Sequence, residues 1–207
     1  MHLFLSGSIQ VGKSTIIRNY LSKSGLSADG FMTYWEYDGN GGRCLYLAPY
    51  CVDIRFVAEK CLIKRIAECR FSPLEEPKRG LSPSEEPKRR FSPSEEPKRR
   101  PSPSEETKRV FDTYGAEILA ASGKRDVVVM DELGFLESDA IEFRQAVMRH
   151  ISGHIPVLGV IKPVSNEFLD EVRSSPRVEV CEVTVENRIE VSERLASRRT
   201  SKCVALS

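Results

Sequence analysis

A glycine-rich octet near the start of the chain has the residue types and spacing of a phosphate-binding loop, G-x-x-x-x-G-K-[ST]. Its members are Gly7, Ser8, Ile9, Gln10, Val11, Gly12, Lys13 and Ser14, and Thr15 follows them. Glycines let successive backbone N–H groups turn toward a phosphate, and the N-terminal end of the next helix adds partial positive charge. In this pattern Lys13 is expected to contact the β- and γ-phosphates and the Ser14 hydroxyl to bind Mg²⁺. The octet therefore predicts a nucleotide-binding site that uses magnesium.

An acidic pair at the end of an apolar run supplies the carboxylates that such a loop needs. The run Val127–Met130 predicts a buried strand, and Asp131 and Glu132 follow it directly. Ligands of open α/β sheets bind at the carboxyl ends of the strands, so we expect Asp131 to bind Mg²⁺ directly or through water. Glu132 is expected to polarise a water molecule for attack on the γ-phosphate.

Polar residues late in the chain are weaker candidates for the same site. Asn187 and Arg188 follow a predicted strand and could line the base or ribose side of the pocket, or Arg188 could neutralise phosphate charge. Equally, Thr184 or Asn187 could cap a helix. Lys162 follows another predicted strand and could contact the γ-phosphate, with an exposed lysine before Pro163 as the alternative. The residue types leave these alternatives open.

Short apolar strands alternate with amphipathic helices around these residues. The run Leu3–Leu5 predicts a strand before the octet, and Thr15–Leu21 predicts a helix after it. The strands Phe31–Tyr37 and Arg43–Leu47 flank Asp38–Gly42, which predicts a hairpin turn. Later strands are predicted over Val127–Met130, Val157–Ile161 and Val178–Val183, and helices over residues 57–69, Val110–Ala121, Asp139–Ile151, Asn166–Val172 and Asn187–Ser197. The alternation predicts an α/β fold with a mainly parallel central sheet covered by helices on both faces.

Four decapeptide repeats, of which F-S-P-S-E-E-P-K-R-R is one copy, occupy residues 71–109. Frequent prolines block helix and sheet, and about one apolar residue per unit cannot offset the cost of ordering the backbone. We therefore expect a disordered insertion within a single domain formed by residues 1–70 and 110–200, followed by a flexible tail at 201–207. Each repeat carries a Ser-Pro step, so a protein partner for the repeats is conceivable, with a solvated spacer as the alternative.

Composition excludes several classes of function. The 207 residues include 31 basic and 30 acidic ones, which gives no drive toward nucleic acid or acidic membranes. No apolar run approaches the roughly 20 residues that span a bilayer. Six cysteines without a C-x-x-C pair and three separate histidines do not suggest zinc. We interpret the cysteines as reduced thiols of a cytoplasmic protein.

Taken together, the motifs resemble those of the cancer-related and thermophile-type nucleoside-triphosphatase family of P-loop proteins. Besides the octet, Val129–Glu137 is similar to that family's hydrophobic-D-E-[IL]-G-x-[ML]-E signature. Pro156–Val160 resembles its next core strand, and Val183–Arg188 resembles its T-x-E-N-R motif. The chain departs from the family after Thr33, where the family usually has an acidic residue followed by a basic one.

The resemblance implies a P-loop NTPase domain that uses Mg²⁺ to hydrolyse nucleoside triphosphates, ATP, GTP and others, to diphosphates with broad base tolerance. In that interpretation Lys13 and the loop amides hold the phosphates, Ser14 and Asp131 hold Mg²⁺, and Glu132 positions water. One alternative is a small-molecule kinase that transfers the γ-phosphate to a metabolite. Another is a nucleotide-dependent interaction protein whose repeats recruit a partner.

Overall fold

The computed structural model describes residues 1–37, 42–50, 64–70 and 104–197. The strands are β1 (His2–Ser6), β2 (Ala28–Tyr37), β3 (Gly42–Pro49), β4 (Lys64–Arg70), β5 (Val127–Leu133), β6 (Val157–Ile161) and β7 (Val178–Glu182). The helices are α1 (Lys13–Ser24), α2 (Glu105–Val110), α3 (Ala116–Ala121), α4 (Ile141–Ser152), α5 (Glu167–Ser174) and α6 (Arg188–Ser197). A π-helical turn, Phe111–Gly115, joins α2 to α3.

The strands form one sheet in the order β4-β3-β2-β5-β6-β1-β7. The pairs from β2 through β7 are parallel, whereas β3 and β4 join antiparallel at one edge. The octet follows β1, and the acidic pair lies near the carboxyl end of β5. Because these strands are parallel, the two motifs lie on the same side of the sheet, where the strands end, with β6 between them. The structure confirms the predicted α/β fold with a mainly parallel sheet.

Alternate residues of the central strands pack into two separate hydrophobic cores. Val128 and Met130 face the core that is covered by α2, α3, α4 and α5, which also contains Phe31 and Phe143. Val129 faces the other core, together with residues of α1 and α6. Because both faces are covered, β5 reads as a continuous apolar run rather than an alternating one.

The predicted helix over residues 57–69 is wrong in its second half, where Lys64–Arg70 forms β4 and pairs antiparallel with β3. Apolar spacing in a short segment fits either structure, so pairing with the β2–β3 hairpin decides the outcome. Residues 57–63 lie outside the described part of the chain.

The helix predicted from Val110 begins five residues earlier, at Glu105, so residues 105–109 of the expected disordered insertion are helical. Ser104 caps this helix, because its hydroxyl accepts a hydrogen bond from the Thr107 amide at 3.1 Å. Earlier repeats carry proline at the position of Thr107 and lack that N–H. Loss of the proline in the last repeat therefore permits the helix to begin there.

The other predicted elements are confirmed with shifted ends, and the Phe31–Leu47 hairpin is present as β2 and β3. The rest of its predicted turn (38–41), the repeats up to residue 103 and the tail from residue 198 lie outside the described residues. Among the helices that the structure describes, none combines the length and hydropathy that crossing a bilayer requires.

Candidate nucleotide site

The glycine-rich octet forms the connection between β1 and α1. Gly12 has φ of 102° directly before the helix, and Gly7 has φ of 137°. A Cβ atom at Gly7 would lie 2.2 Å from the Val183 carbonyl oxygen, just beyond β7. Both positions therefore require glycine, one for its backbone conformation and the other also for close approach of β7. Among the residues that the structure describes, no side chain caps the N-terminus of α1, where backbone N–H groups can bind an anion.

Lys13 is folded back onto the loop in this structure. Its ammonium donates to the carbonyl oxygen of Gly7 at 2.9 Å and to that of Ser8 at 2.6 Å. Burial lowers its pKa, whereas the negative charges of Glu132 and Asp131 act in the opposite direction. The loop thus holds a buried cation beside two carboxylates at the N-terminus of α1.

Ser14 and Asp131 connect the loop to the end of β5. The Ser14 hydroxyl donates to the Asp131 carboxylate at 2.9 Å, and the aspartate is buried. Burial raises the pKa of Asp131 to about 6, against the opposing effect of the Ser14 hydrogen bond. A buried carboxylate beside a hydroxyl is an oxygen donor set of the kind that Mg²⁺ binds, since this ion commonly takes one or two carboxylates and substrate phosphates. The donor set therefore fits the predicted metal.

Glu132 pairs with Lys162, at the carboxyl end of the neighbouring strand. The ammonium of Lys162 lies 2.9 Å from the Glu132 carboxylate, and both side chains are about 30% exposed. The backbone N–H of Glu132 donates to the Thr33 hydroxyl at 3.4 Å. The expected catalytic carboxylate is therefore held by an ion pair and remains accessible to solvent.

A cavity of about 520 Å³ contains these groups. Its lining includes the loop residues Ile9, Gln10, Gly12, Lys13, Ser14 and Thr15, the acidic pair Asp131 and Glu132, and Lys162. Of the loop residues, Ile9 projects into solvent at 88% exposure, whereas Val11 packs in the core. The predicted loop, carboxylates and lysine thus surround one space.

Glu137 also lines the cavity, although its carboxylate is almost fully buried. It accepts a hydrogen bond from the Gly134 N–H and closes the turn that follows β5. Burial raises its pKa to about 7. From the sequence, Glu137 belongs to the family signature but has no assigned role. The sequence signal for its position is an acidic residue three positions after a glycine that follows a buried strand.

Asn187 has its side chain committed to a turn. Its carboxamide oxygen accepts from the Thr184 N–H at 2.8 Å, and its own N–H donates to the Thr184 hydroxyl at 3.2 Å. The Asn187 amide group also donates to the Glu182 carbonyl at 2.9 Å. This arrangement favours the capping alternative for Asn187. Neither Asn187 nor the exposed Arg188 belongs to the described lining of the cavity.

Apolar side chains complete the lining and were not anticipated as site residues. Leu45 comes from β3, Phe111 from the π-helical turn, and Phe135 and Leu136 from the turn after β5. Phe111 could not be assigned from sequence because only the three-dimensional packing brings the segment after the repeats to the P-loop.

Comparisons with known proteins agree with this architecture. A family model described as NTPase matches residues 94–196. Nucleoside-triphosphatase THEP1 of Natranaerobius thermophilus is 32% identical over 77 residues, which are 37% of this chain and 44% of that protein. The match therefore spans less than half the length of that curated relative.

Two solved structures are similar over nearly their whole length. The crystal structure of THEP1 from the hyperthermophile Aquifex aeolicus has a TM-score of 0.61 at 19% identity, covering 95% of this chain and 98% of that one. The solution structure of a human cancer-related nucleoside triphosphatase has a TM-score of 0.59 at 22% identity, covering 97% of each chain. At these identities the matches show a shared fold.

Proposed function

We propose that this chain is a member of the nucleoside-triphosphatase family of P-loop proteins, whose family model matches residues 94–196, and that it hydrolyses nucleoside triphosphates to the diphosphate and phosphate. The observation that carries the proposal is the hydrogen bond between Ser14 of the P-loop and Asp131 of β5. It joins the phosphate-binding half of the site to the acidic half, in one cavity with Lys13 and Glu132.

Each residue has a distinct task in this proposal. The loop amides and Lys13 bind the phosphate oxygens, and Lys13 leaves the carbonyls of Gly7 and Ser8 to do so. Glu132 accepts a hydrogen bond from the attacking water and orients it toward the γ-phosphorus. The water oxygen forms a bond to the γ-phosphorus and its proton passes to Glu132, while the bond between that phosphorus and the β,γ-bridging oxygen breaks and the diphosphate leaves.

Ser14 and Asp131 are proposed to hold Mg²⁺, which when bound neutralises negative charge on the phosphates. Broad base tolerance, with ATP and GTP among the substrates, is proposed because the resemblance to the family implies it.

The finer predictions remain proposals of the same kind. Arg188, exposed at the start of α6, is proposed to meet the ribose or the phosphates. Residues 1–70 and those from Ser104 to about 200 are proposed to form one catalytic domain, which the repeats interrupt as a spacer. We propose a cytoplasmic location, on the interpretation of the six cysteines as reduced thiols.

The experiment is phosphate release by purified protein with each nucleoside triphosphate and Mg²⁺, with and without candidate acceptors. Glu132→Gln should retain nucleotide binding and lose hydrolysis by about 100-fold or more, whereas Lys13→Ala should weaken both. Glu142→Gln is the matched control, since Glu142 is exposed on α4. Hydrolysis by Glu132→Gln at the parent rate would overturn the assignment, and phosphate transfer that requires an acceptor would favour the kinase alternative.

A further inference from the structure

Among the described residues, Lys162 forms the ion pair with Glu132, the carboxylate that is proposed to position water. Its ammonium is 2.9 Å from Glu132, and it stands directly after β6, which separates β5 from β1 in the sheet. Lys162 therefore lies between the strand that bears the acidic pair and the strand that leads into the P-loop.

Further contacts hold the backbone and the side chain of Lys162 in a defined position. Its backbone N–H donates to the Leu133 carbonyl at 2.9 Å, and its ammonium lies 5.2 Å from the centre of the Phe135 ring. A Cβ atom at Gly134 would lie only 3.1 Å from the Lys162 Cδ. Gly134 thus leaves room for the methylene groups of Lys162, whose side chain is about 30% exposed and lines the cavity.

Both lysines of the cavity lining already have partners before a nucleotide enters. Lys13 donates to the carbonyl oxygens of Gly7 and Ser8, and Lys162 pairs with Glu132. A triphosphate brings a terminal group of higher negative charge than one carboxylate, so it competes for any ammonium within reach. The partly exposed Glu132–Lys162 pair is weak enough to be exchanged, because surface ion pairs contribute little net free energy.

We propose that Lys162 is a positioning residue that exchanges partners when a nucleoside triphosphate binds. Without nucleotide, its ammonium holds the Glu132 carboxylate. With the triphosphate bound, the ammonium turns to the γ-phosphate and leaves Glu132 to orient water. This proposal rests on the proposed hydrolysis for its purpose, but the exchange itself is a binding event and can be tested without turnover.

The test measures equilibrium binding of two probes in the presence of Mg²⁺, the imido analogue of ATP and ADP. Lys162→Met keeps a stem of similar length over Gly134 and removes the charge. It should weaken binding of the ATP analogue about tenfold and leave ADP binding within about twofold, because ADP has no γ-phosphate. Lys23→Met, on the exposed face of α1, removes the same charge elsewhere and should change neither.

A double-mutant cycle distinguishes partner exchange from the case in which Lys162 only holds Glu132 in place. Glu132→Gln should tighten binding of the ATP analogue about threefold, since the lysine no longer has to leave a carboxylate. In the Lys162→Met background the same change should give no tightening. Lys162→Arg should restore the preference for the ATP analogue over ADP, which also guards against loss of folding in the methionine variant.

Two results would overturn the exchange: an unchanged preference for the ATP analogue over ADP in Lys162→Met, or the same effect of Glu132→Gln in both backgrounds. Failure of the proposed function has a different signature. A protein that passes the binding cycle but releases no phosphate retains the exchange and refutes hydrolysis.

Discussion

Replacement of Glu137 by glutamine should change how stability depends on pH. The carboxyl group is buried and its pKa is raised from 4.5 to about 7. In the unfolded chain this group loses its proton near pH 4.5, whereas the folded protein holds it until about pH 7. Over that interval the folded state binds more protons, so the free energy of unfolding falls as pH rises. Glutamine has the same shape, keeps a carbonyl oxygen for the Gly134 N–H and does not titrate.

The magnitude follows from the two pKa values. For one site that titrates at 4.5 when unfolded and near 7 when folded, the linkage relation gives a loss of about 2.5 kcal/mol between pH 5 and pH 8. Glu137→Gln should therefore gain stability relative to the parent by about that amount across the same range. Asp131 also has a raised pKa, but it is present in both proteins and its contribution cancels in the difference.

The assay is urea unfolding of parent and variant at several pH values from 5 to 8, with nucleotide omitted and EDTA present. Glu142→Gln serves as the control, because it makes the same change at an exposed position on α4 instead of a buried one. A constant difference between Glu137→Gln and the parent would refute the reasoning, since it would mean that Glu137 is ionised in the folded protein throughout the range.

Three further variants test the boundaries of the repeat segment and the turn that contains Asn187. Replacing residues 71–103 with a short Gly/Ser linker should leave turnover and the thermal midpoint near parent values. Extending the deletion to residue 109 should lower the thermal midpoint, because it removes the Ser104 cap and the buried Thr107. Thermal unfolding and phosphate release check both, and abolished turnover in the shorter deletion would instead support an active role for the repeats. Asn187→Ala should cost about 1 kcal/mol of stability through loss of a cap and leave KM for the nucleotide unchanged. An increase in KM without loss of stability would return Asn187 to the nucleotide site.

The fold and the central site residues were predictable because each has a local signature. The P-loop needs glycines at fixed positions, and Asp131 follows a run of apolar residues that only a doubly covered strand requires. Their hydrogen bond, across 117 positions of sequence, follows once the strands are placed in a parallel sheet.

The rest depended on packing that no short segment encodes. The pairing of Lys162 with Glu132 requires the relative heights of β5 and β6, which are set by their register. The apolar spacing of β4 also fits a helix, and only its pairing with β3 decides between the two structures. The start of α2 is the exception, because the change from proline to Thr107 in the last repeat is a local sign of it.

The place of β1 within the sheet has a consequence for synthesis of the chain. This strand precedes the P-loop and is made before the other strands of the sheet, yet its two neighbours, β6 and β7, begin only at Val157 and Val178. A nascent chain that ends before β6 and β7 contains the phosphate-binding sequence without the strands that fix its shape. Nucleotide binding should therefore begin only after β6 and β7 have emerged from the ribosome. Truncated products, though they keep the whole octet, should not compete for cellular nucleotide.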